Sequence, residues 1–282
     1  MLYENECLFC ASNGPFRTQE HIIPESLGND DLILHGHVCD ACQNYFGKEI
    51  ESYVLGKTSF AAWRAMLGIR TKSGNLPRVD LSQPKKAKGK LPDKHLAHDD
   101  GVILEADPEG DCVFEIKSEQ MRADIRAGLK TQFQFVMTPK VLCMTGRFLG
   151  KVGLEILCLD NPELARTSEF DDIRDYARRG TIHNIWPLFH FSSGSIEDLI
   201  WLEPTIEGFK EEVFCYSYEL FHTDGAIAKH SQYTLLRFTI GTDNWIICLN
   251  NRYPHPVIRK HFNNKKLNLI WYPPEALRDQ KT

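Results

Sequence analysis

Two C-x-x-C pairs, Cys7/Cys10 and Cys39/Cys42, constrain this chain more than any other feature. Each pair brackets a tight turn that directs both sulfurs to one point. Two such knuckles supply the four thiolates of a tetrahedral Zn²⁺ site. Four sulfurs leave no open position, so the metal they imply is structural. A module of roughly fifty residues buries little core, and metal binding offsets that shortage. The other cysteines, Cys112, Cys143, Cys158, Cys215 and Cys248, stand singly in mostly apolar surroundings and read as small buried hydrophobes. Their odd total argues against a disulfide framework. The start, MLYENECLFC, lacks a basic region followed by an apolar stretch, so it does not read as a signal peptide. A cytoplasmic location is the expectation.

Between the knuckles, Thr18 to Pro24 and Leu32 to Val38 read as short strands, joined by the loop Leu27-Gly28-Asn29-Asp30-Asp31. Cys42 to about Leu55 reads as a helix, because Tyr45, Phe46, Ile50, Tyr53 and Val54 share one stripe. The order is therefore knuckle, strand, loop, strand, knuckle, helix.

The segment Gln19-Glu20-His21-Ile22-Ile23-Pro24-Glu25-Ser26-Leu27-Gly28, with CLFC before it and HVCDACQNYFGKEIE after it, resembles the HNH nuclease family. The nearest pattern is the variant in which two C-x-x-C pairs flank E-H-I-I-P. The resemblance covers about residues 5–55 and implies a ββα-metal fold, with a hairpin and a helix gripping one divalent ion. It implies that His21 is the general base and Glu20 a ligand of catalytic Mg²⁺ or Mn²⁺. Near-neutral imidazole suits the first task, and hard oxygen suits those ions. The family's helix-side ligand, an Asn or His after the last cysteine, falls here on Gln43 or Asn44, and Asn44 is preferred. The middle residue of the motif, which orients the loop, is His35 or His37, with His37 preferred. The activity implied is hydrolysis of DNA phosphodiester bonds, and host defence is a setting that suits such an enzyme.

Composition adds two limits. No apolar run approaches the roughly 18–20 residues of a membrane span. The net charge of −5 excludes a uniformly basic surface, yet Arg64 to Lys94 holds nine Lys/Arg against two acidic residues. Within that stretch Arg70, Lys72, Lys85, Lys86, Lys88 and Lys90 are candidate phosphate contacts, against the alternative of a solvated linker.

The whole reads as α+β: a zinc-stapled ββα-metal module over 1–58, a helix (Phe60 to Ile69) and basic linker over 59–98, and a larger mixed body over 99–282. In that body Val102–Leu104 and Val113–Ile116 read as strands, and Glu119–Thr131, Val141–Leu159 and Glu163–Arg179 as helices. Glu212–Phe221 and Tyr233–Leu249 read as strands. Gly146, Gly150 and Gly153 open one side of the apolar helix to a close neighbour. Glu169, Asp171, Asp172 and Asp175 read as a solvated face rather than a metal cluster. The body has no motif of known chemistry; a sensor, a substrate clamp or an association surface for a homo-oligomer or partner protein all remain open. A zinc module that binds without cutting, or a nuclease switched by a signal to the C-terminal body, are the alternatives to a constitutive nuclease.

Overall fold

The structure, a computed structural model, describes residues 6–66, 69, 78–80, 102–106, 112–116, 119–128, 137–192, 216–223, 232–252 and 270–272. It is an α+β arrangement with antiparallel sheets. The N-terminal hairpin pairs β1 (Glu20–His21) with β2 (Ile33–Leu34), Glu20 opposite Leu34 and His21 opposite Ile33. Both strands are shorter than the alternation suggested, because the chain leaves the ladder at once for a 3₁₀ turn, Glu25–Leu27, closed by Gly28 at φ 84°. Asn29 locks that loop: its Nδ2 donates to the Ile23 carbonyl at 2.6 Å and its Oδ1 accepts from Leu32 N–H at 2.9 Å.

The helix that follows has three parts: α1 (Asp40–Tyr45), a π-wound stretch (Phe46–Glu51), and α2 (Ser52–Lys57). Thr58 then breaks it, and α3 (Ser59–Met66) begins. The segment expected to be linker contains an edge strand, β3 (Arg78–Asp80), which pairs with β4 (Val102–Ala106); β4 in turn pairs with β5 (Cys112–Ile116). A three-residue R-V-D strand has almost no alternation of its own, so its extension comes from the free edge of β4. The helix expected to reach Thr131 is α4, Glu119–Arg126, beyond which Gly128 turns the chain at φ 68°.

The central element is α5 (Pro139–Asp160). Thr138 caps it, accepting from Val141 N–H at 3.2 Å, and Pro139 occupies the first turn, where no N–H is needed. Its glycines admit close neighbours as expected, but on two sides of the helix rather than the one side their spacing suggested. A Cβ at Gly146 would lie 3.0 Å from Tyr176 and one at Gly150 3.0 Å from Ile173, both on α7 (Asp171–Arg179). A Cβ at Gly153 would lie 2.7 Å from Leu249 beside the sheet. Each glycine sacrifices about 1 kcal/mol of helix propensity, which close packing offsets.

The single helix expected over Glu163–Arg179 is broken into α6 (Pro162–Ala165), a 3₁₀ turn (Ser168–Phe170) and α7. Thr167 is extended, its hydroxyl donating to the Leu164 carbonyl at 2.9 Å, and Arg174 donates to the Ala165 carbonyl at 2.7 Å. The acidic residues of α7 are exposed while Phe170, Ile173 and Tyr176 are buried, as a solvated face requires.

A five-stranded sheet in the order β10-β6-β9-β8-β7 completes the body: β6 is Leu188–Ser192, β7 Tyr216–Thr223, β8 Tyr233–Ile240, β9 Asp243–Cys248 and β10 Ile270–Tyr272. The expected strand Tyr233–Leu249 is thus two, folded back at Gly241-Thr242 with Gly241 at φ 55°. Asn244, fully buried, pins the turn: its Oδ1 accepts from Arg237 and Thr239, and its Nδ2 donates to the Thr242 carbonyl. β6 was not anticipated because Leu188, Phe189 and Phe191 are all buried and leave no alternation to read, and β10 has only three residues.

One hydrophobic cluster runs from Cys7–Phe9 through Ile22, Ile23 and Phe46 to Leu236 and Leu249. Its junction is Phe60 of α3, which stacks on Phe238 and Trp245 and meets Phe148 edge-on. Trp63 lies against Gly241, where a Cβ would overlap its indole. Gly241→Ala is therefore expected to lower stability by about 2 kcal/mol, from overpacking against Trp63 and the left-handed backbone. Urea unfolding checks this; an unchanged midpoint would mean that Trp63 does not seat on the hairpin.

Candidate active site and metal centre

The two knuckles are built by ordinary backbone hydrogen bonding. Cys7 N–H donates to the Ser12 carbonyl and Ala11 N–H to the Cys7 carbonyl, closing a turn in which Ala11 takes φ 57°. Leu8 N–H donates to the His37 carbonyl at 2.7 Å and ties this turn to the second knuckle, where Cys39 is the residue preceding α1. The four Sγ atoms lie within 4.8 Å of one another, with Cys10 and Cys39 3.6 Å apart. That spacing suits sulfurs at about 2.3 Å from one tetrahedral ion. The donor chemistry agrees. A hydrogen bond from Cys42 pushes the Cys7 thiol down to about 4, while the Cys42 thiol is pushed up by the same bond. Sulfurs that compete for protons so closely are better satisfied by a shared cation. Among the described residues this is the cluster of three or more close-set ligands.

The hairpin is anchored to the helix by side chains from α1. Asp40 Oδ1 accepts from Arg17 N–H at 2.7 Å, and from Thr18 N–H and Oγ1 at 3.2 and 3.1 Å; these bonds lower the Asp40 pKa against its modest burial. Gln43 is fully engaged: its Oε1 accepts from Thr18 Oγ1, and its Nε2 donates to the carbonyls of Thr18 and Val38. Asn44, by contrast, is exposed and has no side-chain partner among the described residues. Both border a cleft of about 710 Å³ that also takes in Glu20, His21, Glu25 and Glu51. The wide π turn gives the cleft its helix-side wall, with Gly47 and Glu51 spaced along it. Arg64 of α3 braces the opposite wall, Nε donating to the Ser26 carbonyl at 2.7 Å and Nη1 to the Leu55 carbonyl at 3.0 Å.

Of the residues the sequence singled out, Glu20, His21 and Asn44 are brought to one cleft. His21 Nε2 lies 3.1 Å from Glu25 Oε1, and its Nδ1 has no hydrogen-bond partner among the described residues. His37 does not border the cleft; its Nδ1 lies 3.1 Å from Arg166 Nη2, a contact that holds the loop between the strands and the second knuckle. Arg70, Lys72, Lys85, Lys86, Lys88 and Lys90 lie outside the described residues.

Sequence reasoning missed the residue that supports Glu20. Lys151 of α5 is fully buried, with its Nζ 2.6 Å from Glu20, 2.9 Å from Glu51 and 3.1 Å from Glu155. It also donates to the carbonyls of His21 and Ile22, each at 3.2 Å. Burial alone would strip its proton, but the three carboxylates outweigh it and hold the ammonium well above its ordinary pKa. Burial raises Glu20 and Glu155, and Lys151 opposes that rise in both. The sequence held one signal: a lysine with Glu155 four residues on, inside an otherwise apolar helix. Glu51 was legible too, since Asn44, Gly47 or Lys48, and Glu51 recur at helical spacing.

This geometry lies within a segment of recognisable type. Residues 7–58 match the HNH endonuclease family. The matched HNH segment is under a fifth of the 282 residues and contains both knuckles, the hairpin and the cleft-forming helix. No curated protein and no solved structure matches the chain. Among the described residues, no helix is long and apolar enough to cross a membrane.

Two outcomes follow for the HNH segment. Purified protein is expected to carry one zinc per chain; Cys42→Ser should lower that content and unfold the hairpin, read by metal analysis and circular dichroism. Lys151→Met leaves three carboxylates without their cation and should cost about 3–5 kcal/mol. Adding Glu155→Leu should recover part of the loss; a single variant as stable as wild type would show the cluster to be energetically idle.

Proposed function

We propose that the chain is a metal-dependent endonuclease that hydrolyses DNA phosphodiester bonds in the cleft of its HNH segment. The observation that carries this reading is His21 beside Glu25 in a cleft of about 710 Å³, inside the residues that match the family. His21 takes the proton from the attacking water, and the Glu25 carboxylate steadies the imidazolium that results.

Glu20 and Asn44 border the same cleft and would hold the divalent ion. One carboxylate and one amide leave the remaining positions to water and to substrate phosphate, which is how Mg²⁺ is commonly bound. Such an ion supplies charge stabilisation at the phosphate and at the departing oxygen. Asn44 is preferred to Gln43 for this task because the Gln43 amide already bonds Thr18 and Val38 at both ends. His37 serves to orient the loop through Arg166 rather than to touch substrate. The four cysteines hold zinc and keep the hairpin against the helix.

A second reading, control of cutting by the C-terminal body, has one observation in its favour. Lys151, which fixes the Glu20 carboxylate, belongs to α5 of that body. A shift of α5 would move the ligand as well as the helix.

The nuclease reading is tested by incubating supercoiled plasmid with Mg²⁺ or Mn²⁺ and either wild type or zinc-loaded His21→Ala. Nicking by wild type, reduced at least about a hundredfold in the variant, is expected for a general base. Equal cutting by the two would remove His21 from the mechanism. DNA binding without cutting, unchanged by the divalent ion, would leave a zinc-stapled binding module.

A further inference from the structure

Outside the cleft, a separate cavity of about 580 Å³ lies between the first knuckle and α7. Its charged lining is Glu6, Arg166, Asp171, Arg174, Arg178 and Arg179. Asp171, Arg174 and Arg178 recur along one side of α7 at three- and four-residue spacing, flanking the face that Ile173 and Ala177 bury. Four guanidinium groups therefore face two carboxylates in a space that suits a small ligand or a stretch of backbone.

The four arginines are not equivalent. Arg166 is a strut, donating to the carbonyls of Glu6 and Pro162 and contacting His37. Arg174 is tied to Asp171 and to the Ala165 carbonyl. Arg178 sits over the Tyr45 ring at 4.3 Å, which fixes its position without engaging a donor, and its buried Nε has no hydrogen-bond partner among the described residues. Arg179 is exposed and meets Asp175, a pair that a more highly charged anion displaces readily. Both stand in the last turn of α7, where the helix favours cations.

We propose that this cavity is a phosphate-binding site in which Arg178 and Arg179 engage a phosphate, supplied either by the backbone of a nucleic acid or by a free phosphorylated small molecule. Guanidinium groups match phosphate oxygens in geometry and stay charged throughout the physiological range. The bordering knuckle offers the competing explanation, that the arginines merely balance thiolate charge, and it sets the controls. The site stands without the nuclease reading, because none of its groups borders the cleft.

The test uses the full chain as wild type, Arg178→Gln/Arg179→Gln and Arg178→Lys/Arg179→Lys, with zinc content measured on each. Binding to a labelled DNA duplex is followed by fluorescence anisotropy as salt is raised, with no added Mg²⁺ or Mn²⁺. Each phosphate no longer neutralised flattens the log–log salt dependence by about 0.9, so the glutamine pair, which removes both groups that engage the one phosphate, is expected to flatten it by about 0.9 at unchanged zinc. The lysine pair is expected to keep the wild-type slope. A second arm titrates inorganic phosphate and ATP by calorimetry. An unchanged slope with loss of saturable phosphate or ATP binding assigns the site to a free ligand. If the glutamine pair alters neither the slope nor phosphate and ATP binding, whatever happens to its zinc, the proposal is overturned. Neither arm depends on cleavage, so failure here and failure of the nuclease reading are separately visible.

Discussion

The Lys151 ammonium is held where water does not reach, by the carboxylates of Glu20, Glu51 and Glu155 and the carbonyl oxygens of His21 and Ile22. Surface pairs in this protein, such as Arg179 with Asp175, gain at most about 1 kcal/mol and are screened by salt. A buried charge is different, because removing either partner leaves the other without water or counterion, at about 3–5 kcal/mol. The cluster therefore dictates how close α5 stands to β1, and with it where Glu20 and His21 lie. Glu20 gives one carboxylate oxygen to Lys151 and still borders the cleft, where its neighbour His21 meets Glu25.

Around that contact the N-terminal module is secured in three further ways. The four sulfurs are gathered to within a metal's reach by backbone bonds across the knuckles, and the thiols' competition for protons is what a cation would relieve. Apolar packing supplies the second tie. Phe60 joins the aromatic layer of Phe148, Phe238 and Trp245, so the helix next to the HNH segment is seated in the core of the body that follows. Arg147 adds a polar tie, with contacts to Tyr45 and to the carbonyls of Ala177 and Arg178.

These ties bear on mechanism. The residues nearest the proposed chemistry are local in sequence, yet Lys151 and Arg64, which brace the cleft, come from two later helices, α5 and α3. A site whose supporting side chains are locked by packing keeps its geometry without substrate. The arrangement also gives the C-terminal body a direct mechanical hold on the cleft, through α5.

Residue spacing pointed to the four-cysteine cluster and to the order of hairpin and helix, because each is set by turns and periodicities only a few residues long. Glu20, His21 and Asn44 came instead from the resemblance of the N-terminal segment to the HNH family. Short-range chemistry likewise marked the apolar helix with its glycines and the solvated face of α7. The tertiary structure decided the rest. Thr167 broke a helix whose periodicity ran on, where Arg174 takes up the freed Ala165 carbonyl and Arg166 reaches across the fold to the Glu6 carbonyl. Gly241 and Asn244 folded one apparent strand into a hairpin, and the edge of β4 recruited Arg78–Asp80 from what composition marked as linker. Most of all, Lys151 and Glu20 are 131 positions apart, and no local pattern relates them. Their pairing exists because a charge removed from water must find its partner wherever the packed chain places one.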